Sequence, residues 1–183
     1  MAGIEELLGS LPIHRLIYAK PGPHLLGAAR AAGVRAMSIA EGSGLDSGSL
    51  HIEALWPPRS LIDGPMPDDP NGTALVLLAR WHGFSMLLTA DAEAEVVPIE
   101  PGPIDVLKVA HHGSDDAGLG PLLDRTVPRL AVISVGADNP YGHPTPSTMS
   151  TLTEHHVPTL RTDEEGDVTI DVSRGAWTVE VGD

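Results

Sequence analysis

Residues 107–114 read LKVAHHGS, a short apolar run that stops at two adjacent histidines, a glycine and a serine. Its length and apolar content suit a buried strand, and the polar residues fall where that strand runs out. Two other runs finish in the same way. LLTAD ends at Asp91, and AVISVGADNPYGHP continues to Asn139, Tyr141 and His143. In α/β sheets the loops at strand ends gather side chains from distant parts of a chain into one crevice. Chemistry is expected to converge there.

Working outward, residues 2–11 place Ile4, Leu7, Leu8 and Leu11 at helical spacing before Pro12. A strand (IHRLIY), a helix (GPHLLGAARAAG) and a second strand (VRAMSI) follow in a βαβ-like rhythm. GSLHIEALWPP reads as a strand, RSLIDGPMPDDPNG as a loop, and TALVLLARW with FSMLLTA as a hairpin turning at His82-Gly83. DAEAEVVPI predicts one or two helical turns, IDVLKVA a buried strand, LGPLLDRTV a helix and RLAVISVG a strand. PSTMSTLTEHH predicts a helix capped by Ser147, the TDEEGD run a loop, and GDVTIDV with AWTVEV a terminal hairpin. Strand–helix units mixed with hairpins predict a layered α/β domain with mixed sheets, spanning 1–183 as one unit.

The composition narrows the chemistry. The 183 residues are 42 % apolar, enough for a real core. There is no cysteine, so any metal must sit on His, Asp or Glu. With 25 acidic residues against 11 basic ones the net charge is −14, a field that repels nucleic acid unless a local cation intervenes. Three Trp, two Tyr and one Phe are too few for a base-stacking platform. No run approaches the roughly 18 apolar residues of a membrane helix, so the expectation is a soluble chain.

Each candidate has two readings. Asp91 is either the N-cap of a helix over Ala92–Glu95 or a metal-ligating carboxylate. In extended backbone His111 and His112 point to opposite sides, so both face one metal only if the strand breaks at Gly113. One would then be a ligand and the other a neighbouring or catalytic group. Ser114 is a nucleophile beside a histidine base, or a loop residue capping the next helix; no G-x-S-x-G elbow surrounds it. His143, between Gly142 and Pro144, is a general acid on a stiff loop, or part of a structural turn.

The ordered series LWPP (55–58), NGTALVLLARWHGFSMLLTADAE (71–93), DVLKVAHHGS (105–114), AVISVGADNPYGHP (131–144) and LRTDEEGDVTI (160–170) resembles the C-terminal metallo-β-lactamase-like domain of ComEC-type competence proteins, the channels that bring DNA into transformable bacteria. The resemblance implies a partial αββα sandwich with one or two metals, zinc or manganese, at the sheet edge. Asp91 and His111 or His112 would be the ligands. The metal lowers the pKa of a bound water so that hydroxide attacks a phosphodiester. It also implies that His143 donates a proton or touches phosphate, with Asn139 and Tyr141 beside it. Lys108 would steady phosphate or merely snorkel to its strand edge, and Asn71 falls where many relatives outside this family carry another metal-binding His. The activity implied is degradation of the non-transported DNA strand. The partners implied are single-stranded DNA and membrane channel segments of the same protein, on the outer face of the cytoplasmic membrane.

Two departures qualify this. The family's TGD is TAD here, and the superfamily's principal H-x-[HD]-x-D-H motif, expected just before GIEELLGSLP, does not occur in the 183 residues. The expectation is a distal part of the domain, with apolar surface left open to self-association. The alternatives are a non-catalytic binding or assembly module, or a stand-alone hydrolase of a small phosphoester. Catalytic zinc takes about three protein ligands and an open position. This chain alone is therefore expected to bind zinc or manganese weakly and to cleave single-stranded DNA little or not at all. Calorimetric titration and a nuclease assay check this, and tight binding with turnover would overturn it.

Overall fold

The computed structural model describes residues 2–174 and 176–182. The chain opens with helix α1 (Ala2–Ser10), strand β1 (Arg15–Tyr18), helix α2 (Pro23–Ala31) and strand β2 (Arg35–Ser38). β1 and β2 pair in parallel, as the βαβ rhythm predicts, and Leu8, Leu25, Ala29 and Val34 form a small core beneath them. Ile4 and Leu7 of α1, and Leu11 just beyond its end, stay more than two-fifths exposed, a residual apolar stripe.

Strands β3 (Gly44–Ser47), β4 (Leu50–Trp56), β5 (Val76–Trp81), β6 (Phe84–Leu88), β7 (Val106–Lys108), β8 (Leu130–Ile133) and β9 (Thr159–Arg161) form one seven-stranded sheet in sequence order. The first four are antiparallel neighbours, whereas β6, β7, β8 and β9 are parallel. The expected mixed α/β sheet is therefore present. Its parallel half needs crossovers, supplied by residues 89–105, by helix α4 (Leu119–Thr126) and by helix α5 (Pro146–Glu154).

The two-residue period decides what each face buries. Leu78, Leu87, Leu107, Ala131 and Ile133 face the main core with Leu122, Leu123 and Leu152 of α4 and α5. Val106, Leu130 and Val132 point the other way. Against them packs the hairpin of β10 (Asp167–Ser173) and β11 (Ala176–Gly182), through Val168, Ile170, Trp177 and Val179.

Several local expectations are corrected. Helix α3 (Arg59–Asp63) and a 3₁₀ turn (Pro70–Thr73) interrupt the segment read as loop. The cap of α5 is Thr145, whose hydroxyl accepts the Thr148 N–H, and not Ser147. TDEEGD contains helix α6 (Thr162–Glu165), and β3 forms although Gly-Leu-Asp-Ser carries no strand signal. Between α3 and the N-terminal unit, Lys20 Nζ donates to the carbonyls of Leu61 (2.8 Å), Gly64 (2.5 Å) and Pro65 (3.0 Å).

At the sheet edge where β6 and β7 begin, Asp105 closes a cavity of about 410 Å³ with Arg129, Phe84 and Trp177. Its carboxylate accepts from Ser85 N (2.9 Å) and Arg129 Nη1 (3.0 Å). Burial alone raises this carboxyl, but the Ser85 N–H and Arg129 together hold it below the ordinary 3.8. A lowered carboxylate contributes stability that is complete above the unfolded pKa and lost as pH falls through the folded one. Asp105→Asn is expected to cost about 1.5–3 kcal/mol at pH 7, with the difference from wild type shrinking below pH about 4. Denaturant titrations across that range check both the size and the pH course.

Candidate functional site

Parallel pairing sends the C-terminal ends of β6, β7, β8 and β9 to one edge of the sheet. β4 also ends there and β5 begins there, since Trp56 pairs with Val76 and Leu77 with Leu88. Asp91, His111, His112, Asn139, His143 and the turn carrying Asn71 therefore gather along that edge from separate parts of the sequence.

The turn after β6 is not a helix. Ala92 N–H bonds to Thr89 O (3.0 Å), and Asp116 takes the N–H groups of Ala94 (2.8 Å) and Glu95 (3.1 Å). The Ala94 and Glu95 donors are satisfied across space by another loop, so the N-cap reading of Asp91 and the helix over DAEAEVVPI are both corrected. Asp91 is left with its side chain 42 % exposed, facing the next strand end.

The strand at LKVAHHGS stops earlier than expected. β7 ends at Lys108, and Ala110–Gly113 form a tight turn. His111 (φ 45°), His112 (φ 55°) and Gly113 (φ 82°) are consecutively left-handed, so strand alternation does not govern where the two rings point. Such backbone carries strain for non-glycine residues and persists only where surroundings enforce it. Here Thr145 N–H bonds to Gly113 O (2.8 Å), and a Cβ on Gly113 would lie 2.6 Å from Pro144 Cβ.

The two histidines part company in their contacts. His112 Nδ1 donates to Ser134 O (2.6 Å), which leaves Nε2 as the lone-pair nitrogen, 3.8 Å from Asp91 Oδ1. His111 Nδ1 lies 2.9 Å from Glu93 Oε1. Its ring centroid is 6.4 Å from that of His112 and 5.7 Å from that of His143. Ser114 is buried, and its hydroxyl donates to Glu93 Oε1 (2.5 Å) rather than to an imidazole. It does not cap α4, whose N-cap is Gly118.

His143 is seated by Asn139, whose side chain accepts His143 N–H (3.1 Å) and donates to its carbonyl (2.8 Å). Its ring stacks on exposed Tyr141 at 6.1 Å, and its Nδ1 is buried without a hydrogen-bond partner. With His112, Val135, Asn139 and Tyr141 it lines a cavity of about 180 Å³. Lys108 Nζ donates to Ala90 O (2.8 Å). Burial lowers its pKa and the Asp91 carboxylate partly restores it. Asn71 lies in the 3₁₀ turn, its N–H on Asp69 Oδ1 (2.9 Å). At the end of β9, Asp163 is bound by Arg161 (2.6 Å) and held below the usual carboxylate range by it.

Glu93 and Asp116 are the residues the sequence reading missed. Glu93 lies two positions beyond the strand-end Asp91, and that spacing is the one signal that points to it.

Among the described residues no three His, Asp or Glu side chains converge closely enough to hold a metal ion. The Asp91–His112 gap is within the span of one ion, since two zinc donors at about 2.0–2.2 Å each can lie up to about 4 Å apart. Two donors are fewer than a catalytic site needs, so the described residues do not by themselves complete a metal centre.

No protein-family profile matches the chain. It is 34 % identical over 175 residues to ComE operon protein 3 of Bacillus subtilis, covering 90 % of this chain and 22 % of that protein. Competence protein ComA of Neisseria gonorrhoeae is 34 % identical over 113 residues, covering 58 % of the chain and 16 % of that protein. Recombination protein 2 of Haemophilus influenzae is 36 % identical over 106 residues, 56 % of the chain and 13 % of that protein. The chain thus spans less than a quarter of the length of these relatives. Among solved structures, CmlA, a diiron β-hydroxylase from Streptomyces venezuelae, superposes with a TM-score of 0.55 at 15 % identity, over 80 % of this chain and 38 % of that one. A protein described as a metal-dependent hydrolase from Parabacteroides distasonis gives 0.51 at 10 % identity, over 85 % and 79 %.

Ala90, the middle residue of TAD, sits at φ 50°. Left-handed backbone costs a non-glycine residue about 1–2 kcal/mol, offset in part by the greater unfolded-state freedom of glycine, about 0.4–1 kcal/mol. Ala90→Gly is therefore expected to stabilise the protein slightly, raising Tm by about 1–4 °C. Calorimetry decides it, and a lower Tm would contradict this account of the turn.

Proposed function

From its homology with ComEC-type competence proteins, we propose that this chain is the distal part of a metal-dependent phosphodiesterase domain that acts in DNA uptake and degrades the strand that is not transported. The observation that carries the reading is the Asp91–His112 pair at the ends of adjacent parallel strands. A histidine that donates one ring N–H to a backbone carbonyl and keeps the other nitrogen bare has the arrangement of a metal ligand. His112 does so through Ser134 O. In this reading Asp91 and His112 are this chain's share of a zinc or manganese site, and further donors come from outside the 183 residues.

His143, Asn139 and Tyr141 border the same edge as the surface for the scissile phosphate, with His143 placed to contact it or to protonate the leaving oxygen. Lys108 acts on phosphate only indirectly, by bracing the Ala90 carbonyl beside Asp91. A chain of net charge −14 repels DNA at long range, so a metal at this edge is the local cation that would admit it. The domain would work on the outer face of the cytoplasmic membrane, beside channel segments of the same protein. Among the described residues no helix is long and apolar enough to cross a membrane.

The incomplete donor set also favours a second reading, a binding or assembly module that keeps the fold without catalysis. Joining the chain to the part of the Bacillus subtilis relative that lies outside the matched region separates the two. Metal-dependent cleavage of single-stranded DNA is expected in the joined protein. Asp91→Asn or His112→Ala is expected to reduce it by at least about 100-fold, beyond what loss of an outer partner costs. A joined protein that binds metal and leaves DNA intact favours the module.

A further inference from the structure

We infer that Glu93 is a positioning residue that fixes the tautomer and orientation of His111, with Ser114 as its lock. A carboxylate only accepts hydrogen bonds, so both groups on Glu93 Oε1 must donate to it: the Ser114 hydroxyl at 2.5 Å and His111 Nδ1–H at 2.9 Å. His111 is thereby held with its proton on Nδ1, and Nε2 is the ring atom left for chemistry.

The clamp is braced on every side. Asp116 binds the N–H groups of Ala94 and Glu95, which follow Glu93 directly. Ser114 is 7 % exposed, with its N–H on His111 O (3.0 Å) and its carbonyl on the Thr148 hydroxyl (2.5 Å). His111 N–H is held by Ala90 O (3.1 Å). The ring is thus fixed from both loops beside His143, and Glu93 is the side chain that joins them. The serine of HHGS is accounted for in the same stroke, since its hydroxyl is committed to the clamp. What His111 Nε2 then does, as ligand or base, rests on the proposed phosphodiesterase reading; the tautomer does not.

The test uses the 183-residue chain with ¹⁵N-labelled histidine. Imidazole ¹H–¹⁵N correlations are recorded at pH about 8, where an ordinary His is neutral, and His111 is assigned through His111→Gln. The wild type is expected to show His111 as the Nδ1–H form. Glu93→Ala is expected to shift its tautomer ratio toward Nε2–H by about tenfold or more. Glu93→Gln, whose amide oxygen still accepts, restores Nδ1–H. His112, held by Ser134 O, keeps its own Nδ1–H signature throughout and reports that the turn stays folded. A wild-type His111 in the Nε2–H form overturns the inference, as does a Glu93→Ala spectrum with both histidines unchanged. A joined protein without nuclease activity would remove the functional reading and leave the tautomer assignment standing.

Discussion

Parallel pairing of β6 with β7 and of β7 with β8 fixes where everything chemical in this chain can be. Parallel strands point their ends the same way, so Asp91, His112 and His143, separated by as many as 52 positions in sequence, are delivered to one edge. The antiparallel half of the sheet contributes differently, bringing Pro57 at the end of one strand and the approach to another to the same edge. Core packing keeps that alignment in register: Leu107, Ala131 and Ile133 are fully buried against the helices, and a one-residue slip would turn them to the hairpin face.

Upon that edge the loops are laced to one another more than to their own elements. Ala90, through the His111 N–H, and Glu93 and Asp116 all tie the turn after β6 to the segment after β7. Gly113 and Thr145 tie the segment after β7 to the one after β8. The left-handed backbone at the histidines is held by this lacing, and at Gly113 the close approach of Pro144 leaves no room for a side chain. Such interlocked turns present side chains more rigidly than a free loop would.

How much of this could be read beforehand follows from the range of each interaction. The strands and the polar residues at their ends were legible in LKVAHHGS, LLTAD and AVISVGADNP, where a period of two and a polar stop are local signals. The helix expected after Asp91 failed because its amide donors are taken by Asp116, more than twenty residues away. β3 was illegible for a related reason: Gly-Leu-Asp-Ser becomes a strand only by pairing with β4. Glu93 looked like any acidic residue in an alternating run, and only the fold reveals that it faces His111 and Ser114.

The chain contains two lysines, Lys20 and Lys108, and both ammonium groups are spent on backbone carbonyls. One rivets the N-terminal unit to the loop after α3, the other steadies the turn beneath Asp91. All remaining side-chain cations are the nine arginines and, at low pH, the histidines. Acylating or cross-linking reagents aimed at side-chain amines therefore find each target engaged, and reaction at either site reports the opening of one particular seam of the protein.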